Sequence, residues 1–160
     1  MRHRCGQTAH VRELLSGDNG TVRLRRPVLV GYDKSEASRR ALLYAAGLAR
    51  RMRRQLLVVH VAPACAGEAV VTAYPAPGGA QMAPLLWLID EVSKLADIND
   101  VSVYLAQLCG RRGRSLHHVA AWVHAEALVL GAPQHRWHQV FGSLPAWLVR
   151  RARCPVITVP

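Results

Sequence analysis

The sequence predicts an α/β protein built on a parallel sheet with helices on both faces. Three observations carry this. Short apolar runs alternate with amphipathic stretches in the order β-α-β-α-β-α-β-α-β. Most of the runs are apolar at successive positions, as in strands buried on both faces. Helix caps and turn residues punctuate the changes of period.

The elements follow in chain order. Residues 1–26 carry little pattern, and Gly17-Asp-Asn-Gly20 is turn chemistry, so this segment is expected to be a flexible basic extension. The α/β domain is expected to run over residues 27–160. Val28-Leu-Val-Gly-Tyr32 reads as the first strand. Ser35 is an N-cap with Glu36 in the first turn. Ala41, Leu42, Ala45, Leu48, Ala49 and Met52 then recur on one helical face. Leu56-Leu-Val-Val-His-Val61 is the second strand, and the Ala-, Pro- and Gly-rich residues 62–80 read as a loop.

Leu85, Leu88, Ile89, Val92, Leu95 and Ala96 mark the second helix. Val101-Ser-Val-Tyr-Leu105 alternates as a third strand. After a basic turn over residues 110–113, Leu116, Val119, Ala120 and Val123 mark the third helix. Ala127-Leu-Val-Leu130 is the fourth strand, ended by Gly131. Ser143 caps the fourth helix, with Pro145 in its first turn, where a missing N–H is harmless. Pro155-Val-Ile-Thr-Val159 is the fifth strand.

Composition narrows the class. The chain has 160 residues, enough for one domain with a proper core, and its 51% apolar residues exclude a disordered composition. No apolar run approaches the ~18–20 residues of a membrane span, and the N-terminus lacks a secretory apolar stretch. The expectation is a cytoplasmic protein without membrane association. The net charge of +11 would suit a polyanion. However, the arginines fall in dispersed clusters that read as solvated helix ends, where cations complement the dipole, so nucleic acid is not the expected partner. The four cysteines form no CxxC and no zinc spacing, and read as free thiols.

In an open α/β sheet, ligands bind beyond the carboxyl ends of the strands, at the switch in strand order. Three segments converge there: Gly31-Tyr-Asp33, the stretch after Val61, and the loop over residues 131–143. In that loop Gly142 lets the backbone approach a phosphate, Ser143 adds a hydroxyl, and the helix start offers free N–H groups. Gly142 as a turn residue and Ser143 as a cap explain the same residues without a ligand. Asp33 reads either as an acceptor for ribose or as a carboxylate satisfying the turn. His60 reads as a satisfied core residue. His117 and His118 are adjacent on a helix and cannot point the same way, so a shared metal is not expected. Trp122 and Trp147 fit helix packing. No Ser-His-Asp, paired-carboxylate or HExxH spacing is present, so an enzyme is not expected.

Taken in order, Val-Leu-Val-Gly-Tyr-Asp-Lys-Ser-Glu-Ala-Ser, Leu-Leu-Val-Val-His-Val, Leu-Val-Leu-Gly, Phe-Gly-Ser-Leu-Pro and Arg-Cys-Pro-Val-Ile-Thr-Val resemble the universal stress proteins. The resemblance spans residues 27–160. It implies an open five-stranded parallel sheet of order 3-2-1-4-5 and a role in stress response or regulation, with at most slow ATP hydrolysis. It also implies a homodimer paired through the last strand, from Pro155 to Val159. Members that bind ATP carry Gly-x-x-Gly, nine residues, then Gly-Ser or Gly-Thr. Here Gly131 matches the first glycine, Gln134 replaces the second, and seven residues separate it from Gly142 and Ser143. On the resemblance, Asp33 would hold ribose and the Val61 backbone the adenine. Gly131, Gln134, Gly142, Ser143 and Leu144 would line the phosphates, with magnesium arriving on ATP. The alternative is an interaction module that binds no nucleotide and uses its basic surface for an acidic protein or nucleic acid.

Overall fold

The computed structural model describes residues 24–63, 70–74, 85–95, 100–132 and 144–160. The strands are β1 (Val28–Gly31), β2 (Leu56–Ala62), β3 (Val70–Tyr74), β4 (Val103–Cys109), β5 (Ala127–Gly131) and β6 (Val156–Val159). The helices are α1 (Glu36–Met52), α2 (Leu86–Leu95), α3 (Arg112–Trp122) and α4 (Leu144–Val149).

The sheet order is β3-β4-β2-β1-β5-β6. Its five parallel strands keep the expected 3-2-1-4-5 order. The sixth strand, β3, pairs antiparallel with β4 along its outer edge. This amends the expected strand count and the loop over residues 62–80. Val70-Val-Thr-Ala-Tyr74 has the β-branched and aromatic residues of a strand, but the surrounding Ala, Pro and Gly hide it. The free edge of β4 supplies the ladder that makes it one. β4 also begins two residues later than expected and runs on to Cys109. Seven of its residues pair with β2, from Leu56 opposite Val103 to Ala62 opposite Cys109.

Alternate residues of each strand enter opposite cores. Val28 and Val30 join Leu56 and Val58 under α1 and α2. Leu29 joins Leu57, Val59 and Leu128 under α3 and α4. Both faces are therefore dry, which explains why the strands read as continuous apolar runs. Five of the six residues expected on the buried stripe of α1 hold to it in whole or part. Met52, in the last turn, is exposed.

Ser35 caps α1 as expected: its Oγ accepts from the Ser38 N–H at 3.1 Å. At the other end Arg53 adopts a left-handed φ of 52°, and its N–H closes on Ala49 and Arg50 carbonyls. The arginines Arg50 and Arg51 complement that helix end. The same expectation fails at α3, where Arg111, Arg112 and Arg114 stand at the N-terminus. Cys154 is a free thiol, but Cys109 is disulfide-bonded, which corrects the expectation of free thiols there. Disulfide pairing depends on proximity in space, which sequence spacing does not report. Leu24 packs on the core, and the Arg25 N–H donates to Gln55 Oε1. No described helix is long and apolar enough to cross a membrane.

Candidate functional site

The turn that leaves β1 is organised by short polar side chains. Asp33 Oδ1 accepts the Ser35 N–H at 3.1 Å, which forms the turn. Ser38, buried on α1, donates its hydroxyl to the Ser35 carbonyl at 2.9 Å and accepts the Asp33 N–H at 3.3 Å. Lys34 completes the turn with a φ of 69°, a conformation that costs a non-glycine residue free energy. Asp33 therefore satisfies the turn. It also reaches outward, because Arg112 Nη1 at the start of α3 lies 3.3 Å from Asp33 Oδ2. Partial burial pushes the Asp33 carboxyl up, but hydrogen bonds from Ser35 and Ser38 and the nearby Arg112 charge outweigh this and hold it below its ordinary value.

Val61 lies on β2, whose carboxyl end overhangs β1. Pairing between the two strands runs from Val28 opposite Leu56 to Gly31 opposite Val59. The Tyr32 N–H then bonds to the Val59 carbonyl at 2.9 Å. Peptide groups alternate direction along a strand, so Val61, two residues on, turns its N–H and C=O to the β1 side. Ala62 faces the other way and accepts from Gly110 at 2.9 Å. The Val61 side chain is in the core, 4% exposed, so any ligand contact made by this residue is a backbone contact.

Gly131 ends β5, the neighbour of β1 on its other side. A Cβ on Gly131 would meet the Ala37 carbonyl carbon at 2.6 Å and its oxygen at 2.8 Å. The first turn of α1 rests directly on this glycine. Its missing side chain is thus accounted for by packing, before any phosphate is considered. Leu144 opens α4 and packs against the α3 side of the core. Gln134, Gly142 and Ser143 lie outside the described residues.

Sequence reasoning missed Arg112 as a neighbour of Asp33. The available signal was its place at a helix N-terminus without an acid in the first turn, where a cation opposes the dipole and needs another reason to be there. It also missed an aromatic and ionic cluster beside the same turn. The Tyr32 hydroxyl donates to Glu91 Oε2 at 2.5 Å, and Arg39 Nη2 lies 3.4 Å from that oxygen. Burial, followed by the Glu91 carboxylate, pushes the Tyr32 hydroxyl up to about 12. The hydrogen bond from Tyr32 outweighs partial burial, and with the Arg39 charge it lowers Glu91. Tyr32, α1 and α2 are thereby tied together.

His60 Nδ1 is 2.9 Å from the Tyr32 carbonyl oxygen, a distance that assigns the proton to Nδ1. Its ring meets the Trp87 ring edge-on at 4.6 Å, and Lys34 Nζ sits 4.1 Å from the centre of the same ring. His60 is satisfied as expected, but it is half-buried at the margin of the sheet rather than in the core. The rings of His117 and His118 are 5.6 Å apart and tilted by 52°. No group of three or more metal-ligating side chains occurs among the described residues. Trp147 packs edge-on against His117 and carries Arg151 on its face.

The carboxyl ends of β1, β2 and β5 thus bring together an anchored carboxylate, an outward backbone donor–acceptor pair and a close-packed glycine. Such an end can hydrogen-bond sugar hydroxyls and the polar edge of a flat heterocycle. Comparison with known proteins bears on this arrangement. A universal stress protein solved in complex with cAMP superposes with a TM-score of 0.63 at 22% identity, over 84% of this chain and 97% of that one. A universal stress protein from Archaeoglobus fulgidus in complex with dAMP gives 0.58 at 22% identity, over 86% and 99%. Another from Archaeoglobus fulgidus gives 0.59 at 23% identity, over 86% and 95%. These likenesses show the fold. No curated protein matches the sequence. The model of the universal stress protein family matches residues 25–160, and this chain belongs to that family.

Proposed function

We propose that this protein is a regulatory adenine-nucleotide-binding member of its family, acting in the stress response without a catalytic step of its own. The observation that carries the reading is the overhang of β2 past β1. It carries Val61 past the last paired residue of β1, with its N–H and C=O on the β1 side, where the turn holding Asp33 begins. A paired donor and acceptor on backbone is the complement of the adenine edge, and a carboxylate ionised at neutral pH has lone pairs that can accept from ribose hydroxyls. Two relatives of the same fold were solved with cAMP and dAMP, which favours an adenine nucleotide over other heterocycles. The nucleoside half of the ligand fits these residues. ATP is the fuller form of the proposal. Gly131, Gln134, Gly142, Ser143 and Leu144 would meet its phosphates, and magnesium would be carried by the phosphates.

Calorimetry with AMP, cAMP and ATP, each with and without magnesium, tests the reading. Binding of all three, weakened about tenfold or more by Asp33→Ala, is expected, since hydrogen bonds to a charged group are worth about 1.5–3 kcal/mol. Gly142→Val separates the phosphate half, and is expected to weaken ATP more than AMP. No heat and no thermal shift at millimolar nucleotide overturns the proposal.

The working assembly in this proposal is a cytoplasmic homodimer joined through β6. Among the described residues β6 is an edge strand, paired with β5 on one side only. The carbonyls of Pro155 and Val159 turn toward β5, where they accept from Leu128 and Ala132. Val156 and Thr158 therefore turn their peptide groups outward. Tyr44, 42% exposed, lies on the side of α1 that Arg40 fastens to Pro160 at 2.7 Å, and so flanks this edge with an apolar surface. An open edge beside exposed apolar side chains is suited to pairing with its own copy.

A further inference from the structure

The arginine clusters, dispersed in sequence, converge at one end of the molecule, the end where the parallel strands begin. Register shows this directly. Val28 is opposite both Leu56 and Ala127, and Leu128 is opposite Val156, so β2, β1, β5 and β6 start on one edge. Three spacings of about 4.8 Å make that edge about 15 Å wide.

Arg25 and Arg26 stand just before β1, separated from it by Pro27, and Arg53 and Arg54 just before β2, separated from it by Gln55. Arg50 and Arg51 sit in the last turn of α1, which descends to the same end. Arg150, Arg151 and Arg153 follow α4 and lead into β6. Nine of the fourteen arginines among the described residues thus share one end, and all are exposed but Arg54, which is half-buried. Between β2 and β6 the carboxylate among the described residues at this end is Glu126, which lies 3.3 Å from Arg26 and 3.2 Å from Arg54. Asp100 lies outside this span, leading into β4. The charge left over is large and of one sign.

We infer that this end of the sheet is a binding face for the phosphate backbone of nucleic acid, reversing the expectation drawn from the dispersed clusters. Three features choose this partner. Between β2 and β6 every cation among the described residues of the face is a guanidinium, whose fork matches phosphate oxygens two at a time. The cations are spread along an edge and onto both helical layers, as a linear polyanion requires. Among the described residues the exposed large apolar side chains near it are Met52 on α1 and Val149 on α4, one on each side of the sheet. They form neither the apolar centre of a protein interface nor an insertion face for a membrane. The face is opposite the strand ends assigned to the nucleotide, so this inference does not depend on that reading.

The test uses the full chain and a labelled DNA duplex of about 20 base pairs, with anisotropy read between about 50 and 200 mM salt. Binding that weakens steeply with salt is expected. A variant carrying Arg50→Gln, Arg51→Gln and Arg53→Gln, and another carrying Arg150→Gln, Arg151→Gln and Arg153→Gln, should each lose about tenfold or more in affinity. Their log–log salt slopes should become shallower by about 2–3. Removing the same charge at the other end, with Arg40→Gln, Arg111→Gln and Arg114→Gln, should change affinity less than about threefold. Circular dichroism verifies that each variant remains folded. Absence of binding at the lowest salt overturns the inference. Equal losses from both ends overturn it as well, because the charge would then act without a face. Tighter binding to phosphatidylserine vesicles or polyglutamate than to DNA would assign the face to another partner and overturn it too.

Discussion

Gly131 meets two demands at one residue. The family pattern treats it as the first glycine of a phosphate loop, whereas the structure packs Ala37 so close that an added Cβ would meet its carbonyl carbon at 2.6 Å. Gly131→Ala would have to displace backbone of α1 rather than a flexible side chain. It is expected to destabilise the fold by about 2 kcal/mol or more, measured by urea unfolding. Asp33 is read through pH. Its folded pKa lies below the ordinary 3.8, so its stabilising contribution is present above that value and is lost as pH falls through 3.8 toward the folded value. Asp33→Asn should flatten this part of the acid-unfolding curve. An equal acid slope in the two proteins would show that the hydrogen bonds to Asp33 contribute no net stability. Arg112, 54% exposed, contributes little to that balance, since exposed pairs are worth about 0–1 kcal/mol.

Among the elements, α1 and β3 illustrate opposite degrees of local control. α1 carries its own instructions: the Ser35 cap, Glu36 in the first turn, an apolar stripe, and arginines in the last turn. Ser35→Ala is expected to cost about 1 kcal/mol, because the Ser38 N–H loses its acceptor. Chemical denaturation with an unchanged slope would verify it. β3 carries little beyond β-propensity, and its role is set by β4, whose outer edge it covers. This is why α1 was legible in the sequence and β3 was not. The candidate site divides the same way. Asp33 and Val61 were legible because they sit at fixed places after readable strands. Arg112 was not, because its distance from Asp33 depends on how α3 crosses the sheet, 79 residues along the chain.

For the whole molecule, the consequences lie at two edges and two ends. β6 leaves Thr158 peptide groups pointing away from β5. Thr158→Pro would remove an outward donor without breaking a bond to β5. The wild-type chain is expected to sediment as a dimer at tens of micromolar, and Thr158→Pro as a folded monomer. A wild-type monomer at high micromolar concentration would contradict the dimer proposal. The two ends of the sheet differ in charge as well as in geometry. The strand starts gather arginines around Glu126, and the strand ends of β1, β2 and β5 present Asp33, the Val61 backbone and Gly131. The two proposals therefore concern opposite ends of the sheet, so a variant at one end is expected to leave binding at the other unchanged.

The sequence by itself determined the alternation of strands and helices, the two-sided burial of the parallel sheet, the cap of α1 and the family. These follow from periodicity, local capping and ordered motifs, each written within a few residues. Only the tertiary structure decided the sixth strand, the Asp33–Arg112 contact, the packing demand on Gly131 and the gathering of the arginines. Each of these depends on distances between residues far apart in the chain, which are set by strand order and register. The arginines show the difference most plainly. As separate clusters they read as ordinary helix ends, and the common starting edge of β2, β1, β5 and β6 makes them one surface.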